Sequence, residues 1–80
     1  MELATPRRLE RRDPDRNMAR FYVLSIEPTL FGDAALVREW GRLGRYGRRR
    51  LDLFPSVAKA QAQLDTLHRR KLARGYRSAG

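Results

Sequence analysis

One stripe of apolar residues at helical spacing constrains this chain more than any other feature: Val57, Ala60, Leu64 and Leu67, continued by Lys71. Ser56 is a good N-cap ahead of it, although Lys59 stands where a capping box would place Glu. Gly75 suits the position just past a helix end, and Arg69, Arg70, Lys71 and Arg74 suit the negative end of the helix dipole. A chain of 80 residues has room for one domain. At that size folding buries roughly 60–65% of the chain's surface. One helix with one apolar stripe must therefore cover one face of one sheet.

The strands of that sheet are legible upstream. Arg20 to Glu27 is rich in β formers, with Tyr22, Leu24 and Ile26 on one face and Phe21, Val23 and Ser25 on the other. Pro28 ends it, and Thr29 to Asp33 is a loop with Gly32 and Asp33 supplying the turn. Ala35 to Leu43 alternates again. Val37, Glu39, Gly41 and Leu43 point one way, and Leu36, Arg38, Trp40 and Arg42 the other. Gly44 and Gly47 bracket Arg45-Tyr46 as a hairpin turn, and Arg48 to Phe54 returns with Leu51, Leu53 and Phe54 for packing. The expected fold is α+β: a small antiparallel sheet of three to four strands, with one C-terminal helix packed across one face. Residues 18–77 form this domain, followed by a tail at 78–80. Residues 1–17 form a basic arm interrupted by Pro6 and Pro14. Within the arm Arg8 to Asp13 reads as a short edge strand, or equally as part of a solvated, disordered segment.

Composition closes off several chemistries. Cysteine is absent, which removes disulfides and thiolate metal sites and agrees with a reducing, cytoplasmic location. No acidic cluster has metal-ligand spacing, and no cofactor or metal is expected. No apolar run approaches the roughly 18 residues of a membrane span. The charged N-terminus is unlike a signal peptide. His68, the single histidine, has no partner at catalytic spacing and reads as a solvent-facing helix residue. Gly41, Gly44 and Gly47 join two strands instead of opening a helix, so they are turn and packing devices and not a dinucleotide fingerprint. Nothing here points to an enzyme.

Charge points to a partner. The net charge is +9 and the isoelectric point about 11.4, the electrostatic footprint of a polyanion binder. Gly41 permits close approach of a helix to its face, and Arg38 and Arg42 would be costly beneath one unless paired. The Arg38, Trp40, Arg42 row is therefore expected on the sheet face opposite the helix. A row of cation, large aromatic and cation suits a nucleic-acid backbone, the guanidinium groups holding phosphates and the indole stacking. Trp40 also suits a packing role, with the ring packed at its base and open at its tip. Arg45, Arg48, Arg49 and Arg50 at the hairpin, the basic end of the helix, and the arm flank this row.

Trp40-Gly41-Arg42-Leu43-Gly44 resembles the signature of the WGR domain family. Asn17 with Arg20-Phe21-Tyr22 is similar to the family's entry into its first long strand, and Ser25 to Phe31 resembles the following strand end and loop. Ala60, Leu64, Leu67 and Lys71 sit where the family helix carries its packing stripe. The resemblance covers about Arg7 to Arg77 and implies an antiparallel sheet crossed by a helix. It implies that Trp40 meets a terminal nucleotide at a DNA strand end and that Arg42 contacts the backbone, as in DNA-damage-dependent poly(ADP-ribose) polymerases. The chain is similar to small bacterial forms of the domain that stand alone.

The expected function is a non-enzymatic, sequence-independent nucleic-acid binder, for DNA before RNA, with a preference for ends or nicks. Its expected contact residues are Trp40, Arg42, Arg38, Arg45, Arg48 and Arg49. The runner-up is an adaptor docking an acidic protein partner through the same face. The chain is expected to be a monomer away from membranes; a dimer that seals the Trp40 face is a third reading.

Overall fold

Why the sheet grows beyond the expected strands is visible in its register. The computed structural model describes residues 6–79; the first five residues of the expected arm, and Gly80 of the expected tail, lie outside the described residues. Strand β1 is Arg7–Asp13, β2 Met18–Pro28, β3 Ala34–Arg42, β4 Arg48–Phe54 and β5 Arg77–Ser78, with helix α1 at Val57–Ala73. They form one five-stranded antiparallel sheet in the order β4-β3-β2-β1-β5. The fold is α+β with one helix, as the sequence indicated, and with one strand more than its upper expectation.

The strand read at Arg8 to Asp13 forms as β1, and the additional strand is β5, at the junction of the domain and the expected tail. β1 lies inside the sheet. It runs against β2 from Arg7↔Leu24 to Asp13↔Met18, and against β5 at Leu9↔Ser78 and Glu10↔Arg77. Leu9 is fully buried and anchors it. Pro14 opens a single 3-10 turn to Arg16, and Asn17 turns the chain into β2 at φ 50°, a left-handed conformation that Asn tolerates better than most residues. α1 begins as expected: the Ser56 hydroxyl accepts from the Lys59 N–H at 3.2 Å. It ends with Gly75 at φ 95° immediately past the Arg74 cap.

Ala60, Leu64 and Leu67 of α1 pack on Leu9, Tyr22, Leu24, Ile26, Ala34 and Leu36, with Trp40, Phe54 and Val57 at the margin. Leu24 and Leu36 are fully enclosed; burial of each contributes about 1.5–3 kcal/mol. This core reverses the expected assignment of faces. The helix lies on the Leu36, Arg38, Trp40 face and not on the Val37, Gly41 face. The objection to placing arginines beneath a helix is met in two ways. Arg38 pairs with Asp52 at 2.8 Å, and Arg42 lies beyond the end of the helix.

The helix-free face carries Phe21, Val23, Ala35 and Val37, and it is shielded from within the sheet. Arg49 reaches from β4 over β3 to Glu27 on β2 at 3.5 Å and to Glu39 at 3.8 Å, and Val37 beneath is only 4% exposed. Leu51 and Leu53, expected to pack, stand exposed on this face. Gly41 serves a close approach, but to the β3–β4 hairpin instead of the helix: a Cβ there would meet the Gly47 Cα at 2.8 Å.

Candidate nucleic-acid interface

Beside the C-terminal end of the helix, its face of the sheet opens into a cleft. Arg20, Phe21, Tyr22, Arg38, Trp40, Gly41, Arg42, Arg50, Lys71 and Tyr76 enclose about 560 Å³. Aromatic rings form its floor. Tyr22, buried, stacks on Trp40 with centroids 5.8 Å apart and 15° between planes, and meets Tyr76 edge-on at 6.4 Å. Lys71, at the last turn of α1, sets its Nζ 4.3 Å from the Tyr22 ring centroid and 5.3 Å from that of Tyr76, within cation–π range.

The strand register concentrates cations around these rings. Arg11, Arg20 and Arg42 lie directly opposite one another across β1, β2 and β3. Arg38 lies opposite Arg50, and Trp40 opposite Arg48. Facing residues in an antiparallel pair share a sheet face, and like charges placed opposite each other are destabilising. Among the described residues lining the cleft none is acidic. An anion placed there would relieve this repulsion.

Individual groups are held in place. Arg42 donates from Nη1 to the Asn17 carbonyl oxygen and from Nη2 to Asn17 Oδ1, both at 3.3 Å. That contact gives the left-handed Asn17 a purpose the sequence did not reveal. Burial is the largest influence on Arg38 and opposes its charge, but hydrogen bonds to Asp52 and Tyr22 outweigh it and raise the pKa. For Lys71 burial comes first as well, and repulsion from Arg74, Arg38 and Arg20 adds to it, so its pKa is lowered. Cations outnumber carboxylates around the cleft, and that is the condition under which a phosphate is bound well.

Of the six residues expected at the site, the cleft gathers Trp40, Arg42 and Arg38, with Arg48 beside Trp40 on β4. Arg45 lines a separate recess on the other face with Arg8, Phe21 and Tyr46. Arg49 is also on that face, tied to Glu27 and Glu39. The expected set omitted Arg11, Arg20, Arg50, Lys71, Tyr22 and Tyr76. Alternation alone places Arg20 with Tyr22 and Arg50 with Asp52; uniting them with Trp40 needs the register.

His68 is half-buried against β1, not solvent-facing. Arg7 Nη1 lies 3.0 Å from its Nδ1 and donates to Asp65 Oδ1 at 2.8 Å. Arginine only donates, so His68 Nδ1 is the acceptor in this contact. This cluster clamps the helix to β1. Among the described residues no group of three or more His, Cys, Asp and Glu could hold a metal, and no helix is long and apolar enough to cross a membrane.

The model of the family described as WGR domain matches residues 5–80. An uncharacterized protein of Sinorhizobium fredii, y4dW, is 48% identical over 77 residues, covering 94% of this chain and 38% of that protein. The chain thus spans under two fifths of the length of that relative. No solved structure matches the chain.

Proposed function

Because the chain belongs to the WGR domain family, we propose that it is a non-enzymatic nucleic-acid-binding module whose ligand is DNA, bound without sequence preference at strand ends or nicks. The observation that carries this reading is the Arg11, Arg20, Arg42 row and the Arg38–Arg50 pair flanking the Trp40 ring. Like-charged rows cost stability in the free protein and become favourable when phosphates lie between them. In this reading a strand terminus enters the cleft and sets one base or sugar against Trp40. Phosphate contacts make the affinity fall steeply with salt; contact with the ring gives it a part that salt does not remove.

The test is a titration with a 5′-phosphorylated duplex at low and physiological salt, read by fluorescence of Trp40, the single tryptophan. Closed circular DNA serves as competitor. The expected result is binding that survives physiological salt, resists the circular competitor and quenches or shifts the indole emission. Binding that vanishes with modest salt and leaves the emission unchanged overturns the reading. An acidic protein would then replace DNA as the partner to seek.

A further inference from the structure

β4 is the outermost strand of the sheet, with β3 on one side and no strand on the other among the described residues. Such an edge offers a row of unpaired backbone N–H and C=O groups to any strand that fits it. Its seven residues read Arg48-Arg49-Arg50-Leu51-Asp52-Leu53-Phe54. Leu51 and Leu53 project from the helix-free face at 55% and 70% exposure.

We propose that this edge pairs antiparallel with β4 of a second copy of the chain, about a two-fold axis through Leu51. The charges select that partner and that register. Facing residues must share a sheet face, so a two-fold axis perpendicular to the sheet has to pass through a residue and not between residues. Centred on Arg50, the pairing sets Arg50 against itself. Centred on Asp52, it sets Asp52 against itself. Both shorten the overlap as well, and like charges directly opposite are unfavourable. Centred on Leu51, the whole strand pairs. Leu51 meets its own copy, Arg50 meets Asp52 twice, and Leu53 faces Arg49, whose guanidinium stays turned inward to Glu27 and Glu39. Arg48 faces Phe54, and no like charges are opposed.

Within one chain Asp52 accepts from Arg38 at Oδ2 and from Arg50 Nε at Oδ1, so in the dimer the partner's Arg50 exchanges with the chain's own Arg50 at Oδ1 while the Arg38 pair stays in place. The axis is perpendicular to the sheet, so both helices and both clefts emerge on one face of a ten-stranded sheet, pointing in opposite strand directions. The contact is a single strand pair, at the small end of the interface range that starts near about 1,200 Å² for stable complexes. The dimer is therefore concentration-dependent. It departs from the monomer expected from the sequence, because the pattern has meaning only once β4 is known to be outermost.

The experiment uses the absence of cysteine from the chain. Leu51→Cys and Leu53→Cys are compared under mild oxidation, beside sedimentation of the unmodified protein over a wide concentration range. The Leu51 Cα atoms would be about 4.5–5.5 Å apart, within disulfide reach. The Leu53 Cα atoms would be separated by four residues along the strand, about 13 Å, outside it. The expected result is a disulfide-linked dimer from Leu51→Cys at least about tenfold faster than from Leu53→Cys, and a mass rising from 9.3 kDa with concentration. Equal cross-linking of the two variants, or a constant 9.3 kDa species at millimolar concentration, overturns the proposal. Both substitutions are at exposed positions, and circular dichroism confirms that the variants fold.

Discussion

Tyr22 and Trp40 face each other across β2 and β3 with their rings 15° from parallel and 5.8 Å apart. The buried phenol fixes the indole, and Trp40 in turn joins the core margin while still lining the cleft. One side chain thus packs on the core at its base and lines the cleft with its remaining surface. The stack pre-orients the ring, so under the proposed function little entropy would be lost on contact with a base or sugar.

Replacement of Trp40 by alanine is therefore expected to weaken DNA binding by about 5- to 150-fold, the equivalent of roughly 1–3 kcal/mol of stacking. Trp40→Phe is expected to retain part of that affinity. Anisotropy of labelled DNA measures both, with circular dichroism to confirm that the core survives. An alanine variant that folds and binds with undiminished affinity would remove the ring from the interface.

Arg42 and Arg49 lie on opposite faces of the sheet and differ in their partners. Arg42 is held by the neutral Asn17, whereas Arg49 is occupied by Glu27 and Glu39. In a plot of log affinity against log salt, Arg42→Gln should lower the slope by about 1, the loss of one phosphate contact. Arg49→Gln should leave it unchanged. An effect of Arg49 equal to that of Arg42 would mean that net charge, and not the cleft, governs binding.

Much of the fold could be read from residue order. Strand alternation around Tyr22 and Trp40, the Ser56 cap and the Gly75 stop all act locally, and each element formed where those signals stood. The face of the sheet that carries the helix was not legible. Leu36 and Val37 are both apolar, so β3 offers two nearly equivalent faces, and the choice between them depends on Leu9 and Tyr76 completing one core. β1 was obscured because its charges alternate with a single inward leucine. The site was half legible: alternation grouped Arg38, Trp40 and Arg42, but register is needed to add Arg20 and Arg50, and the packing of the helix to add Lys71.

Two hairpin glycines should respond differently to alanine. A Cβ on Gly47 would lie 2.7 Å from Phe21 Cζ and closer still to the Trp40 carbonyl oxygen. The hairpin could not then fold back over Gly41. Gly44→Ala meets nothing within 4 Å and bears only the strain of φ 81°. The expected losses are about 3 kcal/mol for Gly47→Ala and about 1 kcal/mol for Gly44→Ala. For a domain of this size each kcal/mol lowers Tm by about 4–8 °C. Thermal unfolding distinguishes the two, and equal shifts would contradict the packing of Gly47 on Phe21.

Asp52 links stability to pH at the margin of the cleft. Burial is the largest influence on its carboxyl and pushes the pKa up. Hydrogen bonds from Arg38 and Arg50, together with their charges, more than reverse this, and the folded pKa lies below the ordinary aspartate value. A carboxylate depressed by folding contributes stability that is present above the unfolded pKa and is lost as pH falls through the folded one. Asp52→Asn removes that contribution at every pH and leaves Arg38, largely enclosed, without its counter-charge. The expected cost at neutral pH is about 1–3 kcal/mol, the range for stranding a buried charged hydrogen-bonding group. The difference between wild type and variant should shrink as pH falls below the ordinary aspartate range, because protonation does to the wild type what the substitution has already done. Urea unfolding of both proteins from pH 7 into that acid range measures it. A difference independent of pH would show that the Asp52→Asn variant loses packing alone and that the charge of the Arg38–Asp52 pair adds nothing to the fold.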